Sequence, residues 1–155
     1  MSARPSLCVM AVLALAMGVA QPAAASAGRS EAEILRRLDI MLMVTSLRCR
    51  TTSDDFRVDY GAFTRNHLGE LNAANRDLRI ELTGRNGTRG ADRALDRISV
   101  TIANQYGAGH PWLSCAQLRQ ATKNLAKVEG HETLVKAADQ LLDAHPRPLL
   151  ALAGQ

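Results

Sequence analysis

Three observations predict an all-α fold, a compact bundle of four to five helices behind a secretion signal and closed by one disulfide. Beyond position 30, apolar residues recur mostly at three- and four-residue steps, the spacing of a helix face. Glycine and proline clusters punctuate those stretches at intervals of a helix length. Two cysteines, Cys49 and Cys115, remain once the first 27 residues are removed, and in an oxidising compartment such a pair forms a bridge.

Residues 1–27 differ in kind from the rest. One charge, Arg4, precedes an apolar run from Leu7 to Ala20, and Gln21-Pro22 then leads to small residues ending in Ala25-Ser26-Ala27. This is the order of a secretory signal, with cleavage expected before Gly28 and a second possible site at Ala23-Ala24-Ala25. The apolar run is short of the roughly 20 residues that cross a bilayer as a helix. The mature chain, residues 28–155, is therefore expected to lack a transmembrane segment and to be periplasmic or secreted. Cys8 should leave with the signal.

Removing 27 of 155 residues leaves 128, enough for one core and few for two domains. Loss of Arg4 takes the formal charge from +4 to +3. Nucleic-acid binders concentrate basic charge beside aromatics, whereas the aromatics here are Phe56, Tyr60, Phe63, Tyr106 and Trp112, spread along the chain. No nucleic-acid partner is expected.

The elements follow in order. Ser30 and Glu33 have the capping-box spacing, so a first helix should start there, run through the nearly all-apolar stretch Leu38–Leu47 and end near Arg50 to Thr52. A helix apolar on most sides is one surrounded by others. Ser53, Asp54 and Asp55 offer caps for a second helix carrying Phe56, Tyr60, Phe63, Leu68, Leu71, Ala74, Leu78 and Leu82, either continuous to about Thr83 or broken near Gly69. Gly84 to Gly90, with three glycines, predicts a loop. Ala94, Leu95, Ile98, Ile102 and Tyr106 share a helix face, but Ile98, Val100 and Ile102 also alternate with Ser99 and Thr101 as a strand would, with Leu78, Ile80 and Leu82 as partner. An α+β fold with a small two-stranded insertion is thus the alternative. Gly107 to Pro111 breaks the chain, and Pro111 can open a fourth helix through Cys115, Leu118, Thr122, Leu125 and Val128, stopped by Gly130. A fifth helix is expected from about Glu132 to Ala144, ended by His145-Pro146-Arg147-Pro148.

Few residues promise chemistry. His110, Trp112 and Ser114 cluster at the start of the fourth helix, where His110 could act as acid or base with a carboxylate such as Asp54, Asp55 or Glu70. The alternative is that Trp112 fills the core and Ser114 caps. His67 and Glu70 stand three apart, a spacing open to two metal ligands, but the order is the reverse of Glu-x-x-His and unrepeated. A solvated pair is expected there, with no metal and no cofactor. Arg85, Arg89, Arg93 and Arg97 recur every four residues. In a helix they would form a basic stripe suited to an anionic surface, unless Asp92 and Asp96 make it an ordinary solvated face, with Arg93 and Asp96 as an exposed pair. The nucleotide-binding Gly-x-x-x-x-Gly-Lys-Ser/Thr and the Gly-x-Ser-x-Gly of serine hydrolases are both missing from the sequence.

The stretch Leu38-Asp-Ile-Met-Leu-Met-Val-Thr-Ser-Leu-Arg-Cys49, taken with Gly109-His-Pro-Trp-Leu-Ser-Cys115, resembles an uncharacterised family of short exported bacterial proteins, mostly helical with two cysteines. That resemblance implies a compartment and a fold, and no activity. The plan is also similar to that of small acid-stress periplasmic chaperones, helical with one disulfide. The function expected is an exported, non-enzymatic helical binding or structural protein of the cell envelope, with a protein or envelope component as partner. A small hydrolase built on His110, or an acid-stress chaperone-like protein, are the alternatives.

Overall fold

The computed structural model describes residues 28–142. The expected signal, the last residues of the fifth helix, the His145-Pro146-Arg147-Pro148 stop and the tail Leu149–Gln155 lie outside the described residues. Five helices follow one another: α1 (Glu31–Cys49), α2 (Arg57–Asn66), α3 (Leu68–Gly107), α4 (Cys115–Leu125) and α5 (His131–Leu142). The described residues contain no strand. The two-stranded alternative is overturned because both of its segments are helical, and burial follows the helical period: Ile102 is buried and Ile98 half-buried, while Val100 between them is 57% exposed.

α1 is the axis of the bundle, and each of the other four helices packs on it. Its stretch Leu35, Leu38, Met41 and Leu42 is wholly buried, and each such side chain contributes roughly 2 kcal/mol by leaving water. Thr45, also buried, returns its hydroxyl to the Met41 carbonyl at 2.7 Å, which satisfies a polar group inside the core. The helix is less enclosed at its far end, where Met43 and Leu47 are exposed. Ser30 caps α1 by accepting from the Glu33 N–H, as expected. Glu33 does not reciprocate, because its carboxylate is held by Arg37 at 2.6 Å.

The second helix differs from expectation at its start. Its N-cap is Phe56, which supplies no side-chain cap, and Asp55 instead takes the Arg57 N–H and guanidinium. Of the two forms expected, the broken one is found, with the break at His67, near Gly69, where His67 serves both α2 and α3 at φ −107 and ψ 19. Leu68 then faces solvent, while Phe56, Phe63, Ala74, Leu78 and Leu82 are buried.

The loop expected from Gly84 to Gly90 is reduced to one residue. Only Gly87, at φ 68 and ψ 170, leaves helical geometry inside α3. The reversal there is sharp: Arg79 and Asp92 pair at 2.7 Å, although along a straight helix residues thirteen apart lie about 20 Å from each other. The arms 68–86 and 88–107 both turn buried residues inward, Leu78 and Leu82 from one, Ala94, Ile102 and Tyr106 from the other. Arg36 of α1 reaches Ser99 of the second arm at 3.4 Å.

The fourth helix starts later than Pro111. Ser114 is its N-cap in a reciprocal capping box with Gln117, which supplies two of the N-terminal partners a helix lacks. It ends at Leu125, and Gly130 opens α5 rather than stopping α4, its carbonyl accepting the Leu134 N–H at 3.1 Å. Cys49, the last residue of α1, and Cys115, the first of α4, are joined by a disulfide with Cα atoms 5.8 Å apart.

Two measurements check this architecture. A bridge spanning 66 residues should stabilise the fold by about 4 kcal/mol in the chain-entropy model, so urea unfolding of the Cys49→Ser, Cys115→Ser chain should show a loss of that order. Gly87→Ala meets no atom within 4 Å yet must adopt a backbone region reserved for glycine. It should cost about 1–3 kcal/mol, and an unchanged melting temperature would refute the tight reversal.

Candidate functional site

The two histidines buried among the described residues, His67 and His110, each bond a main-chain carbonyl of another helix. His67 is 4% exposed, so the solvated pair expected with Glu70 is corrected to a buried ring. Its Nδ1 faces Glu70 Oε2 at 2.5 Å and its Nε2 donates to the Leu125 carbonyl at 2.8 Å. Beside it, Asn66 donates to the Ala126 carbonyl at 2.8 Å. Both carbonyls belong to the last turn of α4, where no N–H of the helix itself remains to meet them. The junction between α2 and α3 therefore acts as an external cap on α4. With both ring nitrogens engaged, His67 offers no free position to a metal ion. Among the described residues no group of three or more His, Cys, Asp or Glu could hold one.

His110 bonds a carbonyl of α5. Its Nε2 donates to the Leu141 carbonyl at 3.1 Å, and its Nδ1 faces the Trp112 N–H at 3.5 Å. The ring lies against Tyr106, with centroids 5.2 Å apart, and meets Trp112 edge-on at 4.6 Å. One donor and one acceptor on the ring is the pattern of neutral imidazole. Burial pushes His110 below the ordinary histidine value, opposed by the bond to Leu141. Its hydrogen-bond partners are backbone groups and include no carboxylate. The carboxylates weighed as its partners are engaged or placed elsewhere. Glu70 is on His67, Asp55 is bound by Arg57 and held down to about 2 by that bond, and Asp54 sits in the turn before α2.

The four arginines do not form one stripe. Arg85 precedes the Gly87 reversal and approaches Glu81 at 3.6 Å, whereas Arg89, Arg93 and Arg97 are exposed on the second arm. Asp92 pairs across the reversal with Arg79, and Arg93 makes no ion pair with Asp96 among the described residues.

What sequence reasoning missed is a groove of about 360 Å³ between α4 and α5. Its floor is apolar, formed by Leu113, Ala121, Leu125, Val128, Ala137 and Leu141, all buried or half-buried. Its rim is Gln117, Gln120, Asn124 and Gln140, all exposed amides. Among the described residues no titratable side chain lines it. The groove exists because α4 packs on α1 and α2, α5 packs on α1, and the two make little contact with one another. Each wall carries a carbonyl bonded by a histidine, Leu125 on one side and Leu141 on the other. The one sequence signal for it was the pairing of small with amide residues, Gln120-Ala121 in α4 and Ala137 with Gln140 in α5.

Comparisons with family models, with curated proteins and with solved structures find no match to this chain.

The burial of His110 carries a pH dependence with a definite sign. The unfolded chain takes up a proton near pH 6.5, while the folded ring does so only at lower pH. Protonation therefore favours the unfolded state, and stability falls as pH drops below about 6.5 until the folded ring titrates as well. Urea midpoints measured from pH 7 to pH 5 should decline, and the decline should be smaller in His110→Phe, which keeps a ring beside Tyr106 and Trp112. An identical decline in both chains would remove His110 as the cause.

Proposed function

We infer that this chain is an exported, non-enzymatic binding protein of the bacterial envelope whose α4–α5 groove takes an apolar, uncharged segment of a partner. The observation that carries this reading is the groove itself: an apolar floor, a rim of four amides and, among the described residues, no charged or titratable lining group. Amides donate and accept alike, so they suit the main chain of a bound extended segment, while the floor suits its side chains. A site of this kind binds by burial and orientation and lacks the acid, base or nucleophile that a hydrolytic centre requires. The buried histidines fit the same reading, since each is spent on a helix carbonyl of a groove wall.

Export is supported by the order of residues 1–27 and by the Cys49–Cys115 bridge, which suits an oxidising compartment. Among the described residues no helix is long and apolar enough to cross a membrane.

An uncharged naphthylamine dye tests the groove directly. It should bind residues 28–155 saturably, and Ala121→Phe or Ala137→Phe, which fill the groove from opposite walls at half-buried positions, should each weaken binding at least tenfold while leaving helicity unchanged. Binding indifferent to both substitutions, or no saturable binding, would falsify the assignment.

A further inference from the structure

The second arm of α3, residues 88–107, turns Ala91, Ala94, Ile102 and Tyr106 inward. On its other side Arg89, Arg93, Arg97 and Val100 follow at steps of four, four and three, which sets them on one outward face. All four are exposed. We propose that this face is a docking surface for an anionic lipid bilayer, with the arm laid against the headgroups. No residue of the face lines the α4–α5 groove, so the surface is separate from the site that takes a partner segment.

Three observations lead there. The first is charge. Among the described residues Arg89, Arg93 and Arg97 make no ion pair or hydrogen bond, whereas Arg36, Arg37, Arg57 and Arg119 each face a carboxylate. The arm carries two acids, and Asp92 is taken by Arg79 across the reversal, which leaves Asp96 against three cations. Guanidinium groups bind phosphate oxygens through paired hydrogen bonds, and phosphate is the charge an anionic lipid presents. The second is extent. From Arg89 to Ala108 the arm runs about 28 Å, and at its end Arg48 of α1 donates to the Ala108 carbonyl at 3.4 Å. A convex row of that length encloses no single anion and fits an extended anionic plane.

The third is the apolar border. The contacts of Arg36 with Ser99 and of Arg48 with Ala108 show that α1 runs beside the arm in the same direction. Met43 stands two turns beyond Arg36 on the same side of α1, with Leu47 one turn further, and both are exposed, as Val100 is. Cations beside exposed apolar side chains are the composition of a surface that sits in a membrane interface. An acidic polypeptide would meet the arginines and leave those three side chains in water.

Co-flotation of residues 28–155 with lipid vesicles tests the proposal. The chain should bind vesicles of phosphatidylglycerol and phosphatidylcholine in equal parts and should leave phosphatidylcholine vesicles unbound. Each basic residue at an anionic surface gains about fivefold in partitioning, so Arg89→Gln, Arg93→Gln and Arg97→Gln together should weaken binding at least tenfold. Val100→Ser should weaken it roughly threefold. Asp96→Asn should tighten it, a gain that a misfolded chain would not show. Equal binding to both kinds of vesicle, or anionic binding that responds to neither the arginine substitutions nor Asp96→Asn, overturns the proposal. Binding to soluble polyglutamate as tight as to the vesicles, with Val100→Ser without effect on either, overturns it in favour of an acidic polypeptide. The naphthylamine dye reports the groove separately: its affinity should be the same in all these chains, and a chain that binds vesicles but no dye overturns the groove reading and leaves the lipid surface standing.

Discussion

The structure depends on covering α1. A helix in which Leu35, Leu38, Met41 and Leu42 are all fully withdrawn from water cannot stand at a surface, and the remaining helices are arranged as its shell. That demand explains the sharp reversal at Gly87. One straight helix of 40 residues would run about 60 Å, far past the 19 residues of α1, and its outer half would bury nothing. Folding back at a single glycine gives α1 two arms for one connection.

The same demand leaves the shell helices short of partners among themselves. α4 and α5 spend their apolar faces on α1 and α2, and little contact remains between the two. The last turn of α4 is held from outside by Asn66 and His67, and α5 is held at its Leu141 carbonyl by His110. The disulfide pins the first residue of α4 to the end of α1, so α4 is fixed at both ends, by a covalent bond and by hydrogen bonds. A groove with fixed walls loses less freedom on binding than one that must first be assembled. The polar straps and the groove are thus two consequences of one packing problem.

Much of this was legible in local sequence. The Ser30 cap, the apolar centre of α1, the cysteine pair and the start of α5 each depend on residues a few positions apart or on composition, and they stand as expected. Where local signals competed, reading them failed. Pro111 drew the start of α4 to itself although Ser114 and Gln117 carried the capping-box spacing. Three glycines suggested a loop, yet Gly84 and Gly90 stay helical and only Gly87 needs the glycine backbone. A helix can tolerate a glycine at about 1 kcal/mol, so glycine count alone could not tell a loop from a one-residue reversal.

The candidate site was illegible for a different reason. His67 and Leu125 are 58 residues apart, and His110 and Leu141 are 31 apart, and what each ring meets is a backbone carbonyl, which no residue identity announces. Histidines drew attention as acids, bases or ligands because of their side-chain chemistry. In the fold, that chemistry is answered by main-chain carbonyls of α4 and α5, of which that of Leu125 also accepts the Val128 N–H. A groove defined by helices that avoid each other is likewise invisible in either helix alone. Amides beside alanines on α4 and α5 look like ordinary solvent-facing residues, and only the way α1 draws both helices toward itself turns them into the rim of a shared cleft.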